Sequence, residues 1–226
     1  VQPTNHLFIE YLVKKFGGDV IRTSFPNDDQ GDLIKPQKFL HDLRAYLKPD
    51  DILISDVGAH KMWIARNFPC YKPNTCIIPN GFCYMGFALP ASIAACLTNE
   101  NKKVYAICGD AGFLMNLQEM ETAKRLNTNI VIIIWEDNSY GLIKWKQKAQ
   151  FGKTTDLDFD NPDWRKLAKS FDWNYLHEDN SSNIAKSLRK TKDLEGPTLF
   201  VIPIDYSENE KLTKFLDSLE KSYNVK

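Results

Sequence analysis

The sequence predicts an α/β fold, a doubly wound parallel sheet of about six strands with helices on both faces. Short segments of β-branched and aromatic residues alternate along the chain with segments whose apolar residues recur at helical spacing. The longest apolar run, Ile130 to Trp135, is rich in Ile and Val, which is typical of a strand buried on both faces. Repeated βα units favour parallel strands joined by helices that cover the sheet.

The first 35 residues are predicted to lie outside this fold. Residues 1–16 have the apolar spacing of one amphipathic helix, and the polar stretch Gly17–Lys35 contains the Gly and Pro residues of a linker. We therefore expect residues 1–35 to be a linker or the end of a preceding domain. Residues 36–226 are expected to form a single domain.

The elements of that domain follow from residue type and spacing. The predicted strands are Asp51–Ser55, Thr75–Ile78, Lys103–Cys108, Asn129–Trp135, Trp173–Leu176 and Thr198–Ile202. The predicted helices include Gln37–Leu47, Leu117–Leu126, Pro162–Phe171 and Ser207–Leu219. Asn161 is a candidate N-cap of the third helix, with Pro162 in its first turn.

Composition argues against several classes of protein. Lys+Arg and Asp+Glu number 29 each, so the formal net charge is zero and no basic surface for nucleic acid is predicted. The longest apolar run is too short to span a bilayer and no signal peptide is recognised, so we expect a cytoplasmic protein without a membrane partner. Five cysteines without a CxxC pair indicate reduced, mostly buried thiols rather than a zinc site.

Glycine and acidic residues follow three of the predicted strands, in the segments Asp56–His60, Gly109–Gly112 and Glu136–Gly141. Ligands of an open parallel sheet bind beyond the carboxyl ends of its strands, so these segments form the candidate site. Glycine lets backbone amides approach a phosphate closely, but Asp110 would repel one unless a divalent cation lay between them. Asp137 ends the next strand, at a separation that one helix and one strand fill. The pattern predicts a metal-assisted diphosphate site.

These segments resemble the metal–diphosphate motif of thiamine-diphosphate enzymes, in Gly109-Asp110-Ala111-Gly112 and in Glu136-Asp137-Asn138. The surrounding sequence is similar to the acetolactate synthase family over roughly residues 35–210, and Trp135-Glu136-Asp137 is similar to its catabolic, FAD-independent type. The flanking motifs are DVGAHKMW at 56–63, NGFCYMG at 80–86, ALP at 88–90, IKWKQ at 143–147, EGP at 195–197 and PIDYS at 203–207.

The resemblance implies a C-terminal domain that binds thiamine diphosphate through Mg²⁺, in an enzyme that condenses two pyruvates into 2-acetolactate and carbon dioxide. Asp110, the Asp137 side chain and the Ser139 carbonyl would ligate Mg²⁺. Cys83 and Met85 would contact the aminopyrimidine through their backbones. Met85 would also lie beneath the cofactor and bend it. The implied cofactor contacts are Ala59, His60, Cys83, Met85, Gly109, Asp110, Ala111, Gly112, Asp137, Tyr140 and Gly141.

The resemblance also implies that the active site needs a partner. The family's catalytic glutamate belongs to the N-terminal domain of another subunit, and nothing in residues 1–34 resembles that domain. We therefore predict no catalytic residue in this chain, which would hold half an active site within a homodimer or homotetramer. The face around Phe82–Pro90 is the expected interface, with apolar surface near Phe87, Leu89 and Ile93.

The sequence departs from the family pattern at two positions and leaves alternatives open. Ala111 stands where glycine is commoner, and Glu136-Asp137 stands where many relatives carry paired asparagines. His60 could instead cap a helix, Met85 could pack in the core, and residues 144–146 could be a basic surface or a lid. For function, the alternatives are another thiamine-diphosphate-dependent 2-oxo acid decarboxylase or carboligase, and a non-catalytic remnant of the fold.

Overall fold

A computed structural model describes residues 33–99 and 102–212, and its six strands form one parallel sheet. The strands are β1 Ile52–Ser55, β2 Cys76–Ile77, β3 Val104–Gly109, β4 Ile130–Glu136, β5 Asn174–His177 and β6 Thr198–Pro203, in the spatial order β2-β1-β3-β4-β6-β5. The helices are α1 Pro36–Tyr46, α2 Ala59–Asn67, α3 Ala88–Thr98, α4 Asp110–Leu114, α5 Glu119–Arg125, α6 Gly141–Phe151, α7 Trp164–Ser170 and α8 Ile184–Asp193, with a short 3₁₀ helix at Ser181–Asn183.

The central strand β4 explains why the sheet is buried on both faces. Its residues Ile130 to Trp135 are fully buried, and their branched side chains suit a pleated surface. Alternate residues point to opposite faces, so Ile133 belongs to one apolar cluster and Ile132 to the other. Each face therefore needs its own cover of helices.

Helices supply that cover in two groups. Helices α1, α2 and α8 pack on the face that carries Ile133, and helices α3, α5 and α7 pack on the face that carries Ile132. Helix α6 has no fully buried residue and contacts the first of these two groups through the half-buried Trp145. The predicted doubly wound parallel fold is confirmed.

The strand order creates a crevice at one place in the sheet. From β1 the chain proceeds to β2 on one side, and from β3 it proceeds to β4 on the other side. The loops that leave the adjacent carboxyl ends of β1 and β3 therefore diverge, and ligands of such sheets bind at this reversal. The crevice lies between the first two of the three predicted segments.

The predicted elements agree with the structure to within about two residues at each described end, and one predicted helix start was wrong. Asp163, not Asn161, is the N-cap of α7, because its side chain accepts a hydrogen bond from the Lys166 amide at 3.0 Å. Pro162 therefore precedes the helix. The Asn161 side chain is directed to the strand ends instead.

The ends of the predicted domain are described only in part. The predicted helix at residues 1–16 and residues 17–32 of the predicted linker lie outside the described residues. Ile34 is buried and pairs with Ile204, so the packing of this domain includes that residue. Residues 209–212 are helical, and the remainder of the predicted helix Ser207–Leu219 lies outside the described part.

The cysteines are free, but the expectation of mostly buried thiols was wrong. Cys108, in the central strand β3, is buried, whereas Cys70 and Cys83 are exposed in loops and Cys76 and Cys96 are half-buried. The apolar neighbours of a loop cysteine in sequence do not become its neighbours in space. None of the described helices is both long and apolar enough to cross a membrane.

The central strand yields a test of the packing. Ile133→Ala should lower the free energy of unfolding by about 2–5 kcal/mol, because it leaves a cavity in a fully buried layer. Urea denaturation measures this change. Ile143→Ala is the matched control, since Ile143 is 47% exposed and its truncation should change stability by no more than about 0.5 kcal/mol. Equal effects of the two variants would contradict this description of the core.

Candidate functional site

The three predicted segments converge on one cleft of about 230 Å³ at the carboxyl ends of β1, β3 and β4. The structure brings together every residue that the sequence singled out for cofactor or metal contact. These lining residues are Ala59, His60, Cys83, Met85, Gly109, Asp110, Ala111, Gly112, Asp137, Ser139, Tyr140 and Gly141. Their proximity is a structural finding, whereas their roles toward a ligand stay predictions.

Asp110 connects the end of β3 to the loop after β4. Its Oδ1 accepts a hydrogen bond from the Ala111 amide at 2.8 Å. Its Oδ2 accepts the amides of Asp137 at 3.2 Å and Asn138 at 2.7 Å. Asn138 has φ of +52°, a left-handed conformation that asparagine tolerates better than most residues. The buried carboxylate of Asp110 therefore fixes the conformation of the loop that follows β4 and carries Asp137.

Asp137 is half-buried and faces Asp110. Burial and the neighbouring Asp110 raise the pKa of Asp137 to about 7, against hydrogen bonds from the hydroxyl and amide of Ser139. A Cβ atom at Gly141 would collide with Asp137 Oδ2, so a larger residue at the start of α6 would displace this carboxylate. Two acids held together in this way favour a cation between them.

Ser139 is held by a short antiparallel pairing with the segment 157–159. The Tyr140 amide donates to the Leu157 carbonyl at 3.0 Å, and the Phe159 amide donates to the Asn138 carbonyl at 3.1 Å. Groups of alternate residues in such a pairing point in opposite directions, so the Ser139 carbonyl takes no part in it. Within the described residues, no three His, Cys, Asp or Glu side chains converge as a metal site. A cation here would need this carbonyl or ligand oxygens.

His60 lies buried at the start of α2, with its ring edge-on to Trp135 at a centroid distance of 6.5 Å. Burial lowers the pKa of His60 to about 4, so the ring is neutral at pH 7. Its Nε2 is buried and has no hydrogen-bond partner among the described residues. The N-cap of α2 is Gly58, and no side chain caps that helix, so the structure gives no support to a capping role for His60.

Asp56 positions the loop that carries Cys83 and Met85. Its buried carboxylate accepts the amides of Gly86 at 3.0 Å and Ala88 at 2.8 Å. Burial raises the pKa of Asp56, while these backbone hydrogen bonds lower it. Met85 is half-buried and lines the cleft outside both core clusters, so it does not serve as core packing.

Tyr206 and Asn161 contribute to the site but were not predicted to belong to it. Tyr206 lines the cleft and packs against Trp135 at 6.2 Å, and burial raises its pKa well above the ordinary range. Asn161 donates hydrogen bonds to the carboxylates at the ends of β3 and β4. The motif at 203–207 contains Tyr206 and was the available signal for it. For Asn161, the sequence offered only an asparagine before a proline, which also fits a helix cap.

The residues 144–146 are partly integrated into the fold. Lys144 pairs with Asp158 at 2.6 Å, and Trp145 packs against the core cluster of α1 and α2. Lys146 is exposed. These contacts account for two of the three residues, and the choice between a basic surface and a lid stays a prediction.

The apolar surface beside the cleft differs from the one expected. Leu89 and Ile93 are only 2% and 5% exposed, because they face the sheet within this chain. On the loop before α3, the exposed apolar residues are Phe82 at 94% and Tyr84 at 52%. The expectation of apolar surface at Leu89 and Ile93 was therefore wrong.

Comparison with known proteins agrees with this geometry. Residues 56–202 match the family described as thiamine pyrophosphate enzyme, C-terminal TPP binding domain. The chain is 35% identical to "Acetolactate synthase" of Bacillus subtilis over 88% of this chain and 34% of the relative. It is 35% identical to "Acetolactate synthase, catabolic" of Raoultella terrigena over 76% of this chain and 32% of that protein.

A third relative, "Acetolactate synthase isozyme 2 large subunit" of Escherichia coli, is 32% identical over 82% of this chain and 34% of its own length. The chain thus spans about a third of the curated relatives that it matches. The resemblance to acetolactate synthases is confirmed, and the family match includes strands β3 and β4 and the loops that follow β1, β3 and β4. The chain therefore belongs to the family of C-terminal thiamine-pyrophosphate-binding domains of thiamine pyrophosphate enzymes.

Proposed function

We propose that this chain is the diphosphate-binding part of an acetolactate-synthase-type enzyme, which uses Mg²⁺ and thiamine diphosphate to condense two pyruvates into 2-acetolactate and carbon dioxide. The observation that carries the proposal is the convergence of Asp110 and Asp137 beside the segments 58–60 and 109–112 in one cleft. The similarity to acetolactate synthases supports the choice of reaction.

The acidic side of the cleft suits Mg²⁺. Asp110 and Asp137 supply two carboxylates at the ends of neighbouring strands, and Ser139 offers a carbonyl that its pairing leaves unused. Magnesium takes oxygen ligands and usually combines one or two carboxylates with phosphate oxygens and water. A cation would also relieve the unfavourable proximity of the two acids, which raises the pKa of Asp137.

The start of α2 and residues 111–112 form a part of the cleft that suits a diphosphate. Helix α2 begins at Ala59 and His60 without a side-chain cap, so its first amides are available to an anion. The neutral His60 ring packs over Gly58, where a Cβ atom would lie 2.6 Å from His60 Cε1. Ala111 and Gly112 follow Asp110 along the same wall. We assign diphosphate contacts to Ala59, His60, Ala111 and Gly112.

The chain would hold only part of the cofactor. The cleft of about 230 Å³ is smaller than the roughly 300–1,000 Å³ of sites that enclose a drug-sized ligand. We assign the backbones of Cys83 and Met85 to the aminopyrimidine, with Met85 beneath the cofactor. When bound, thiamine diphosphate would supply the electron sink that lets a 2-oxo acid lose carbon dioxide. The catalytic glutamate would come from another domain or subunit.

The assigned metal ligand gives a direct test of binding. Asp110→Asn should lower the affinity for thiamine diphosphate at least tenfold in Mg²⁺, because it removes charge from a cation ligand and disturbs the loop that Asp110 holds. Titration calorimetry on the full chain measures this. Asp172→Asn is the matched control, since Asp172 is exposed and pairs with Lys124.

Two further titrations sharpen that experiment. Thiamine without its diphosphate, and thiamine diphosphate with EDTA, should each bind far more weakly than thiamine diphosphate with Mg²⁺. If the wild-type chain binds thiamine diphosphate no better with Mg²⁺ than with EDTA, the proposed function is wrong.

The raised pKa of Asp137 predicts that ionisation of this residue lowers the stability of the folded chain above about pH 7. The folded chain holds this proton up to pH of about 7, whereas the ordinary pKa is 3.8, so the contribution of Asp137 to stability is lost as pH rises through about 7. Asp137→Asn should therefore raise the free energy of unfolding in EDTA by about 1–3 kcal/mol at pH 8, and by much less near pH 4. Urea denaturation at both pH values measures the change. Lower stability of the variant at pH 8 would contradict this account.

The exposed loop before α3 predicts self-association. Phe82 is 94% exposed beside the cleft, so we expect it to contact another copy of the chain in the native assembly. Phe82→Asp should weaken association at least tenfold in analytical ultracentrifugation. Phe151→Asp is the matched control, because Phe151 is also exposed but lies at the far end of α6. A wild-type chain that stays monomeric at high concentration would argue against this interface.

A further inference from the structure

We propose that Asn161 is a positioning residue that sets the preference of the site for Mg²⁺. It would do so by fixing two loops relative to each other, the one that begins at Asp110 after β3 and the one that carries Asp137 after β4. Asn161 lies between α6 and α7, outside the three strand ends. The inference rests on the proposed function, since it concerns how this chain prepares the same cation site.

The side-chain amide of Asn161 connects the ends of two strands. Its Nδ2 lies 2.9 Å from Asp110 Oδ2 at the end of β3. It also lies 3.0 Å from Glu136 Oε1 and 2.9 Å from Asn138 Oδ1, both at the end of β4. An amide nitrogen has two hydrogens, so it serves two of these three acceptors at a time. A single donor group therefore holds oxygens from both loops.

Glu136 Oε1 accepts a second hydrogen bond, from a residue of α7. The indole of Trp164 donates a hydrogen bond to Glu136 Oε1 at 2.6 Å, and its buried ring packs against Phe113 of α4 at 5.8 Å. Trp164 begins α7, whose N-cap Asp163 lies two residues after Asn161. The position of Asn161 is therefore tied to a buried anchor rather than to a free loop.

These contacts restrict the rotation of the Asp110 carboxylate. Its Oδ2 accepts the amides of Asp137 and Asn138 as well as the Asn161 side chain, and its Oδ1 accepts the Ala111 amide. Asn161 Oδ1 is buried without a partner among the described residues, so it can accept a hydrogen bond from water coordinated to a cation.

A fixed separation of the two acids matters more for Mg²⁺ than for Ca²⁺. Mg²⁺ requires short distances and near-octahedral geometry, whereas Ca²⁺ accepts longer and more variable ones. Groups that orient metal ligands commonly contribute 10–100-fold to metal affinity. Loss of the Asn161 amide should therefore lower the affinity for Mg²⁺ more than the affinity for Ca²⁺.

The test measures the affinities of the full chain for Mg²⁺ and Ca²⁺ by calorimetry in the presence of thiamine diphosphate. Asn161→Ala should lower the Mg²⁺ affinity about tenfold and the Ca²⁺ affinity distinctly less. Saturating Mg²⁺ should restore cofactor binding. Asn183→Ala is the matched control, because the Asn183 amide also contacts a carboxylate, that of Glu178, but outside the cleft. Unchanged Mg²⁺ affinity, or an equal loss for both cations, would overturn the proposal.

The ratio of the two affinities separates positioning from general damage. Unfolded molecules reduce the number of binding sites but leave the ratio for the folded molecules unaffected. If Asn161→Ala does not fold, Asn161→Ser, which keeps one donor, is measured in the same way. Absence of Mg²⁺-dependent cofactor binding in the wild type would reject the proposed function itself. Normal binding in the wild type with the same ratio in the variant would reject only the role of Asn161.

Discussion

The carboxylate of Asp110 is the constraint on which the rest of the site depends. It follows β3 directly, and its Oδ2 collects amides from the loop after β4, so one buried side chain connects two neighbouring strand ends. The parallel register brings those ends together, since Gly109 pairs with Trp135. Together with the pairing of Ser139 and Asp158, this link fixes the loop of Asp137 and Ser139 over the sheet. The parallel sheet thus brings the two strand ends close together, and the hydrogen bonds to Asp110 fix the positions of Asp137 and Asn138.

The site is arranged at the expense of stability. The charged carboxylate of Asp137 is less stable in its half-buried position than it would be in water. Its proximity to Asp110 destabilises the charged form further. His60 likewise keeps a buried nitrogen without a hydrogen-bond partner among the described residues, and a larger residue at Gly141 would displace the Asp137 carboxylate. Such features concentrate where a ligand is to complete the missing contacts. The two continuous apolar clusters provide the stability that offsets them.

Most of the fold and the place of the site could be predicted from sequence, and the failures share one cause. Strands such as Ile130–Glu136 are evident because branched apolar residues leave few alternatives. The convergence of Asp110 and Asp137 follows from parallel topology alone. The burial of Leu89 and the role of Asn161 depend on partners distant in sequence, and Asp163 caps α7 because Asn161 is directed to those distant partners. Local patterns cannot distinguish those partners, because a loop residue that fits one local role can be used by a distant strand end.

The pairing of Ile34 with Ile204 has a consequence for how neighbouring parts of a polypeptide would be arranged. Lys35 and Gln37 reinforce this contact through Glu208, at 2.8 Å each. Ile204 also lines a hollow shared with Asp137, on the acidic side of the site. A group attached to the domain at Ile34 would therefore be held close to that side, at a high effective concentration whatever its intrinsic affinity.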